Sequence, residues 1–252
     1  MKAEHPSAAL IPQLRNLWKE AFGDTDAFLD LFWGIAYDAD HCCCIRAQDR
    51  VVAALYWLDV SYRGQKHAYL YAVATAKDCR GQGLCRLLMA DTAEILKSDG
   101  YQGTLLVPQD EGLRLMYRKM GYLDTSPIDQ FLCAGADAPI RLKELSREEY
   151  ASLRASYLPE DRAELCTEAL AFLAVLARFY KGDGFVTCVS REPEHLRILE
   201  YLGNRDHIPG LIAALDATEA TVRAPGTGTP FAMYLPLTGD CAAPSYYPFA
   251  LD

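Results

Sequence analysis

Residues 78–86 read Asp78, Cys79, Arg80, Gly81, Gln82, Gly83, Leu84, Cys85 and Arg86, so two glycines separated by one residue join two apolar stretches. The stretch before them, 69–76, is short and apolar, as a buried strand is. After them Leu84, Leu87, Leu88, Ile95 and Leu96 recur near the 3.6-residue period of a helix. A strand that ends in a glycine turn at a helix N-terminus is an anion cradle. The first helical amides lack intrahelical partners, and the helix dipole favours negative charge there. Glycine lets the backbone approach a phosphate with no Cβ in the way. The donors would be the amides of Gly81, Gly83, Leu84, Cys85 and Arg86, with Arg80 and Arg86 available for charge-assisted contacts. The spacing excludes a nucleoside triphosphate loop, which needs a Lys and a Ser or Thr after its second glycine. Arg86 stands where the dinucleotide fingerprint needs its third glycine.

About twenty residues on, a second buried strand is expected at 104–107, ending at Pro108. A short helix follows over 111–120, with Gly121 placed for a positive-φ C-cap and Tyr122 beyond it. The loop resembles the pyrophosphate loop of the GCN5-related N-acetyltransferases (GNAT), whose pattern is [QR]-x-x-G-x-[GA]. Read from Arg80, Cys85 replaces the final Gly or Ala; read from Asp78, the glycines fit and Asp replaces Gln or Arg. Tyr117, followed four residues later by Gly121 and Tyr122, resembles the last signature of the same superfamily. The resemblance covers about the first 135 residues.

That resemblance implies an acetyltransferase with acetyl-coenzyme A as co-substrate and no metal. Its pyrophosphate would lie on Arg80, Gly81, Gln82, Gly83, Leu84, Cys85 and Arg86. Its pantetheine arm would pair like an added strand with Val73, Ala74 and Thr75, where the central strand splays from its neighbour. An amide near Val73 would polarise the thioester carbonyl. Tyr117 would be the general acid, since a phenol keeps its proton at neutral pH and can hydrogen-bond a departing thiolate. The acceptor would be a primary amine of a small molecule or peptide, attacking directly in a ternary complex. No cysteine is placed for a covalent acetyl-enzyme. The base stays open between Glu111, a water and the carboxylate of Asp252, because Asp110 and Glu111 also suit a helix N-terminus. A non-catalytic acyl-coenzyme A sensor, with the loop but no working acid and base, is the alternative.

The elements that must position these groups follow from the pattern. Helices are expected over 12–22 and 27–37, then strands over 42–47 and 51–61 around a hairpin turn at Gln48, Asp49 and Arg50. Helix, helix, antiparallel meander, glycine turn, helix, strand, helix is the order of an α/β fold with a mixed sheet. A nicotinamide-binding fold would alternate strand and helix from the start. After a strand at 128–133 we place a domain boundary, giving 1–135 as the acetyltransferase unit and 136–252 as a smaller α+β unit. In the second unit, helices are expected over 146–156 and 162–180, strands over 184–190 and 195–202 with a turn near Pro193, a helix over 207–215, and strands at 220–224 and 231–237. Strand, strand, helix, strand, strand mirrors the first unit, which suggests a degenerate copy; an unrelated α+β domain fits as well. The turn Gly203, Asn204, Arg205, Asp206 is too short to cradle a pyrophosphate, so no coenzyme is expected there. The aromatic end, Tyr246, Tyr247 and Phe249, should dock, and a strand closing the second sheet is the expected form. The tandem-domain enhanced intracellular survival acetyltransferases look similar in their helical start, and in them the terminal carboxylate serves as base.

At 252 residues the chain is long enough for two domains, and 51% hydrophobic with 23% charged residues is an ordinary globular composition. A net charge of −9 argues against nucleic acid. No apolar run approaches a membrane span and no secretory pattern opens the chain, which points to the cytosol. The nine cysteines read as reduced, packed thiols rather than a metal site, since Cys42, Cys43 and Cys44 alternate faces of a strand. Oligomeric state is left open.

Overall fold

The computed structural model describes residues 1–138, 140–192, 195–239 and 241–251. The chain opens with α1 (Ile11–Phe22) and α2 (Asp26–Ile35). Pro12 sits in the first turn of α1, and Gly23 at φ +79° ends it in the left-handed region. Thr25 caps α2 by accepting from the Phe28 amide. Strands β1 (Cys42–Ala47), β2 (Arg50–Tyr62) and β3 (Gln65–Thr75) form an antiparallel meander. Then come α3 (Leu84–Ser98), β4 (Gly103–Leu106), α4 (Glu111–Arg118) and β5 (Leu123–Ala134).

The second half contains β6 (Lys143–Leu145), α5 (Arg147–Tyr157), β7 (Ala163–Leu165), α6 (Thr167–Leu176), β8 (Arg178–Gly182), β9 (Phe185–Glu192) and β10 (His195–Gly203). It ends with α7 (Ile208–Ala214), β11 (Glu219–Pro225) and β12 (Thr229–Pro236). The expected helix over 162–180 is corrected: its ends are β7, which pairs with β2, and β8, which pairs with β6 and β9. Ladder bonds to partners distant in sequence override an apolar run that suits a helix locally. The turn expected near Pro193 lies outside the described residues.

The twelve strands of the described residues join one sheet, in the order β1-β2-β3-β4-β12-β5-β11-β10-β9-β8-β6, with β7 off this path. Outward from the β12–β5 pair the order repeats on the two sides, with β6 as an additional edge strand on the second. On one side β3 and β4 are parallel and joined through α3; on the other β10 and β11 are parallel and joined through α7. Each half lends the other a strand. β12 lies antiparallel between β4 and β5, and β5 lies antiparallel between β12 and β11. This repeated topology is what a degenerate copy of the first fold has.

Alternation along β2 shows the layering. Ala54, Tyr56, Leu58 and Val60 join the core beneath α1, α2, α5 and α6, whereas Ala53, Leu55 and Trp57 join the core beneath α3 and α4. A third core lies beneath α7. Trp18 is the hub of the first: its ring centroid is 4.7 Å from that of Phe32 and 4.9 Å from that of Tyr56. Phe172 of α6 reaches the same cluster, 5.5 Å from Phe32.

The C-terminal tail corrects a further expectation. Residues 245–251 form no strand closing the second half; they run across to the first half and bury Tyr247, Phe249 and Leu251. The Tyr69 hydroxyl donates to the Ala250 carbonyl at 2.5 Å and the Tyr71 hydroxyl to that of Leu251 at 2.6 Å. Each fully buried ring or Leu side chain contributes about 1.5–3 kcal/mol, enough to hold such a segment down. Asp252 lies outside the described residues.

Candidate active site

The phosphate loop is built as its spacing suggests. β3 ends at Thr75, a short 3-10 turn covers Lys77–Cys79, and Gly81 and Gly83 take φ +76° and +79° before α3 begins at Leu84. A Cβ at either glycine would meet no protein atom within 4 Å. The space above the loop is therefore open, as a diphosphate lying on these amides requires. Gln82 is exposed beside them, and its Nε2 donates to the Asp78 carbonyl at 3.4 Å. Arg80 and Arg86 are exposed at the rim, and Arg80 Nε donates to the Thr75 carbonyl at 3.1 Å. Asp78 would repel an anion, but both its oxygens accept from Arg50, at 2.6 and 2.8 Å. That hydrogen bonding lowers its carboxyl to about 2. Burial raises the Cys85 thiol above its ordinary value, which keeps it protonated.

Next to the loop the central strands part. The described β3–β4 pairs are Ala68 with Thr104 and Tyr69 with Leu105; β3 then runs on to Thr75 while β4 ends at Leu106. At the parting Ala72 has φ +48°, inside a bulge where β3 carries an extra residue opposite β2. A left-handed alanine costs about 1–2 kcal/mol, and such strain concentrates where backbone groups are aimed at a ligand. The splay opens a cavity of 510 Å³ lined by Tyr71, Ala72 and Val73 on one side and by Leu106, Val107 and Pro108 on the other. Farther along β3, Ala74 is buried and Thr75 half-buried.

Tyr117 reaches the same cavity from the last turn of α4. It is 6% exposed, and its ring centroid lies 5.8 Å from that of Tyr122. Burial pushes its phenol well above the ordinary value, so it stays a proton donor. Asp110 caps α4 by accepting from the Leu113 amide at 2.8 Å. Glu111 forms ion pairs with Arg114 and Arg118, each at 3.5 Å, and neither it nor Asp110 lines the cavity. The helix itself is tied down by Arg114, which donates to Asp124 at 2.5 Å and to the Pro230 carbonyl of β12 at 2.9 Å.

The far wall was not legible from spacing. It is made by Trp18, Phe22, Asp24 and Phe28 of the helical start, by Gln130, Arg223 and Phe231 of three strands, and by Ala250 of the tail. The strand residues of this wall depend on the exchange of β5 and β12, which leaves no local signal. In the second half the turn before α7 holds a 3-10 segment at Arg205–His207, and the Asp206 amide bonds to Asn204 Oδ1 at 3.0 Å. Among the described residues no group of three or more His, Cys, Asp or Glu side chains could hold a metal, and no helix is long and apolar enough to cross a membrane.

A strained and splayed central strand and a buried tyrosine thus share one cavity, and a turn of two left-handed glycines follows that strand. Residues 10–122 match the model of the Acetyltransferase (GNAT) family. Family and fold imply acetylation dependent on acetyl-coenzyme A. A GCN5-related N-acetyltransferase from Anabaena variabilis is similar in structure, with TM-score 0.70 at 17% identity over 94% of this chain and 73% of that one. Eis1 from Mycobacterium abscessus gives 0.66 at 9% identity over 94% and 74%. A tandem GNAT protein from the clavulanic acid biosynthesis pathway gives 0.59 at 13% identity over 95% and 100%. These likenesses span both halves and show the tandem-like fold. Comparison with curated proteins finds no match.

Proposed function

We propose that the protein is an N-acetyltransferase that moves an acetyl group from acetyl-coenzyme A to a primary amine by direct attack in a ternary complex. The observation that carries this reading is the convergence of the bulged edge of β3 and Tyr117 on one cavity, with the left-handed Gly81 and Gly83 turn following at the end of the same strand. The diphosphate lies on the amides of Gly81, Gly83, Leu84, Cys85 and Arg86, and the pantetheine arm pairs with the edge of β3 at Val73–Thr75. The amine attacks the thioester carbon while a backbone amide at the bulge holds the carbonyl oxygen. As the C–S bond breaks Tyr117 gives its proton to the leaving thiolate, and the proton lost by the amine nitrogen passes through water to restore the phenol. Residues 1–135 form the acetyltransferase unit, and 136–252 form a degenerate copy that completes the sheet and the acceptor wall. The nine free cysteines suit a reducing cytoplasm.

Release of free thiol from acetyl-coenzyme A, measured across a panel of primary amines, tests the reading. Turnover with at least one amine, a fall in kcat of about 10²-fold in Tyr117→Phe and unchanged coenzyme A binding by calorimetry are expected. Tight coenzyme binding with no turnover of any amine is instead what a non-catalytic acyl-coenzyme A sensor gives.

A further inference from the structure

α4 is eight residues long, and a helix so short has little stability of its own, so its contacts decide where it stands. Tyr117 is its one buried residue, while Leu113, Arg114 and Met116 are half-buried. So narrow an apolar face leaves the helix room to shift or roll. What holds it is polar. Arg114 lies one turn before Tyr117, with its side chain 11% exposed. Its guanidinium spans two neighbouring strands. Nη1 donates to Asp124 Oδ1 of β5 at 2.5 Å, and Nη2 donates to the β12 carbonyls of Pro230 at 2.9 Å and Phe231 at 3.4 Å. β5 and β12 pair antiparallel there, Asp124 opposite Met233 and Pro230 opposite Pro127. Arg118 donates to the other oxygen of Asp124 at 2.5 Å, and Glu111 lies 3.5 Å from Arg114 Nε. Leu113 and Tyr117 line the cavity from α4, and Phe231 lines it from β12. The fork therefore joins the helix of the phenol to the strand of Phe231.

We propose that Arg114 is a positioning residue for acetyl transfer: its fork sets where the Tyr117 phenol stands against β12 and the leaving sulfur. The inference deepens the acetyltransferase reading and rests on it, since there Tyr117 is the acid. A guanidinium is planar and keeps its charge, so donors on two of its nitrogens fix an angle as well as a distance. A helix held at that angle does not roll, and the phenol in its last turn stays in line. A displacement of about 1 Å in a positioned group costs as much as about 10²-fold in rate. Arg114 itself does not line the cavity, so its effect passes through Tyr117. Its removal also leaves no bare charge behind. Asp124 and Glu111 both keep Arg118, so a substitution probes position and not an unpaired carboxylate.

The test measures kcat for the best amine of the panel, in the full chain, for Arg114→Met, Tyr117→Phe and the two together. Methionine keeps an unbranched apolar stem along the path of the arginine. Expected is a kcat about 10-fold below wild type in Arg114→Met, with coenzyme A affinity by calorimetry unchanged. Added to Tyr117→Phe, the same change should cost less than about 2-fold more, because the group it places is gone. Arg114→Lys, a point charge in place of the fork, should fall between wild type and Arg114→Met. A loss as large with Tyr117→Phe as without it, no loss in kcat, or weakened coenzyme A binding overturns the proposal. Should Arg114→Met fail to fold, the same cycle is read on Arg114→Lys, where a loss of about 3-fold confined to the chain with Tyr117 is expected. If no amine turns over, the acetyltransferase reading has failed on its own, and the place of Tyr117 is read by fluorine NMR of fluorotyrosine-labelled protein with coenzyme A present. The resonance that Tyr117→Phe removes should shift or broaden in Arg114→Met while the other tyrosine resonances stay. That resonance unmoved, or every resonance moved together, overturns the positioning role.

Discussion

Tyr69 and Tyr71 sit on β3, where their hydroxyls hold the carbonyls of Ala250 and Leu251 and so set one edge of the cavity. Removing one such hydrogen bond costs about 1 kcal/mol. Tyr71→Phe should therefore lower stability in urea by about that amount and reduce kcat/KM for the amine several-fold, with coenzyme A affinity unchanged; an unaltered kcat/KM would detach the tail from the site. His67 lies on the same strand and is fully buried, with Nδ1 3.2 Å from the Gln65 carbonyl and Nε2 3.4 Å from the Tyr234 hydroxyl. Burial lowers its pKa below the ordinary value. A histidine whose folded pKa is lowered binds fewer protons folded than unfolded. Its contribution is thus complete above about pH 6.5 and is lost as pH falls through the folded value. Melting temperature should drop below pH 6.5, and His67→Gln should flatten that drop; a slope unchanged in the variant would place the acid sensitivity elsewhere.

At the scale of elements, the glycine loop and the helix after it were legible because their signal is local. Gly81 and Gly83 are spaced for positive φ, and the helical period begins at the next residue. Gly83→Ala isolates what the turn does. The added methyl meets no protein atom within 4 Å, so the stability cost is the left-handed strain alone, about 1–2 kcal/mol. Coenzyme A affinity should fall at least about 10-fold, because the methyl stands where phosphate must approach; unchanged affinity by calorimetry would move the diphosphate off this turn. α4 was legible too, from Asp110 at its start and Gly121 at its end, but not the reason Tyr117 is held in place. Arg114 joins α4 to the Pro230 carbonyl of β12, more than a hundred residues away, and no spacing encodes that. Similarly, 162–180 looked helical because its apolar run suits a helix, whereas its ends pair with β2, β6 and β9. The tail's rings announced docking, yet their partner, the face of β3 in the other half, carries no local mark.

At the scale of the whole molecule, the two halves are bound by exchange rather than by contact of finished surfaces. β5 leaves the first half to pair with β11 and β12, and β12 leaves the second to pair with β4 and β5. Cut at 135/136, the first fragment keeps β1 to β4 but exposes the β4 edge, and β5 loses both its neighbours. A strand with two open edges and buried Thr125, Ser126 and Ile128 on it is a template for aggregation. The cut also removes Phe172 from the Trp18 cluster and the tail from Tyr69 and Tyr71. Residues 1–135 alone should therefore fail to give a cooperative unfolding transition and fail to bind coenzyme A. Co-expression of 1–135 with 136–252 should restore both, since the missing β12 and tail return in trans and the β12–β5 ladder re-forms. A soluble 1–135 fragment that melts cooperatively and binds coenzyme A would mean that β4 and β5 can close on each other without the inserted strand. The acceptor wall would then have to be sought within the first half alone. Restoration only in the pair would make the second half a structural part of the catalytic cleft, since it supplies Arg223 and Phe231 to the cavity and the carbonyl that anchors the helix of Tyr117.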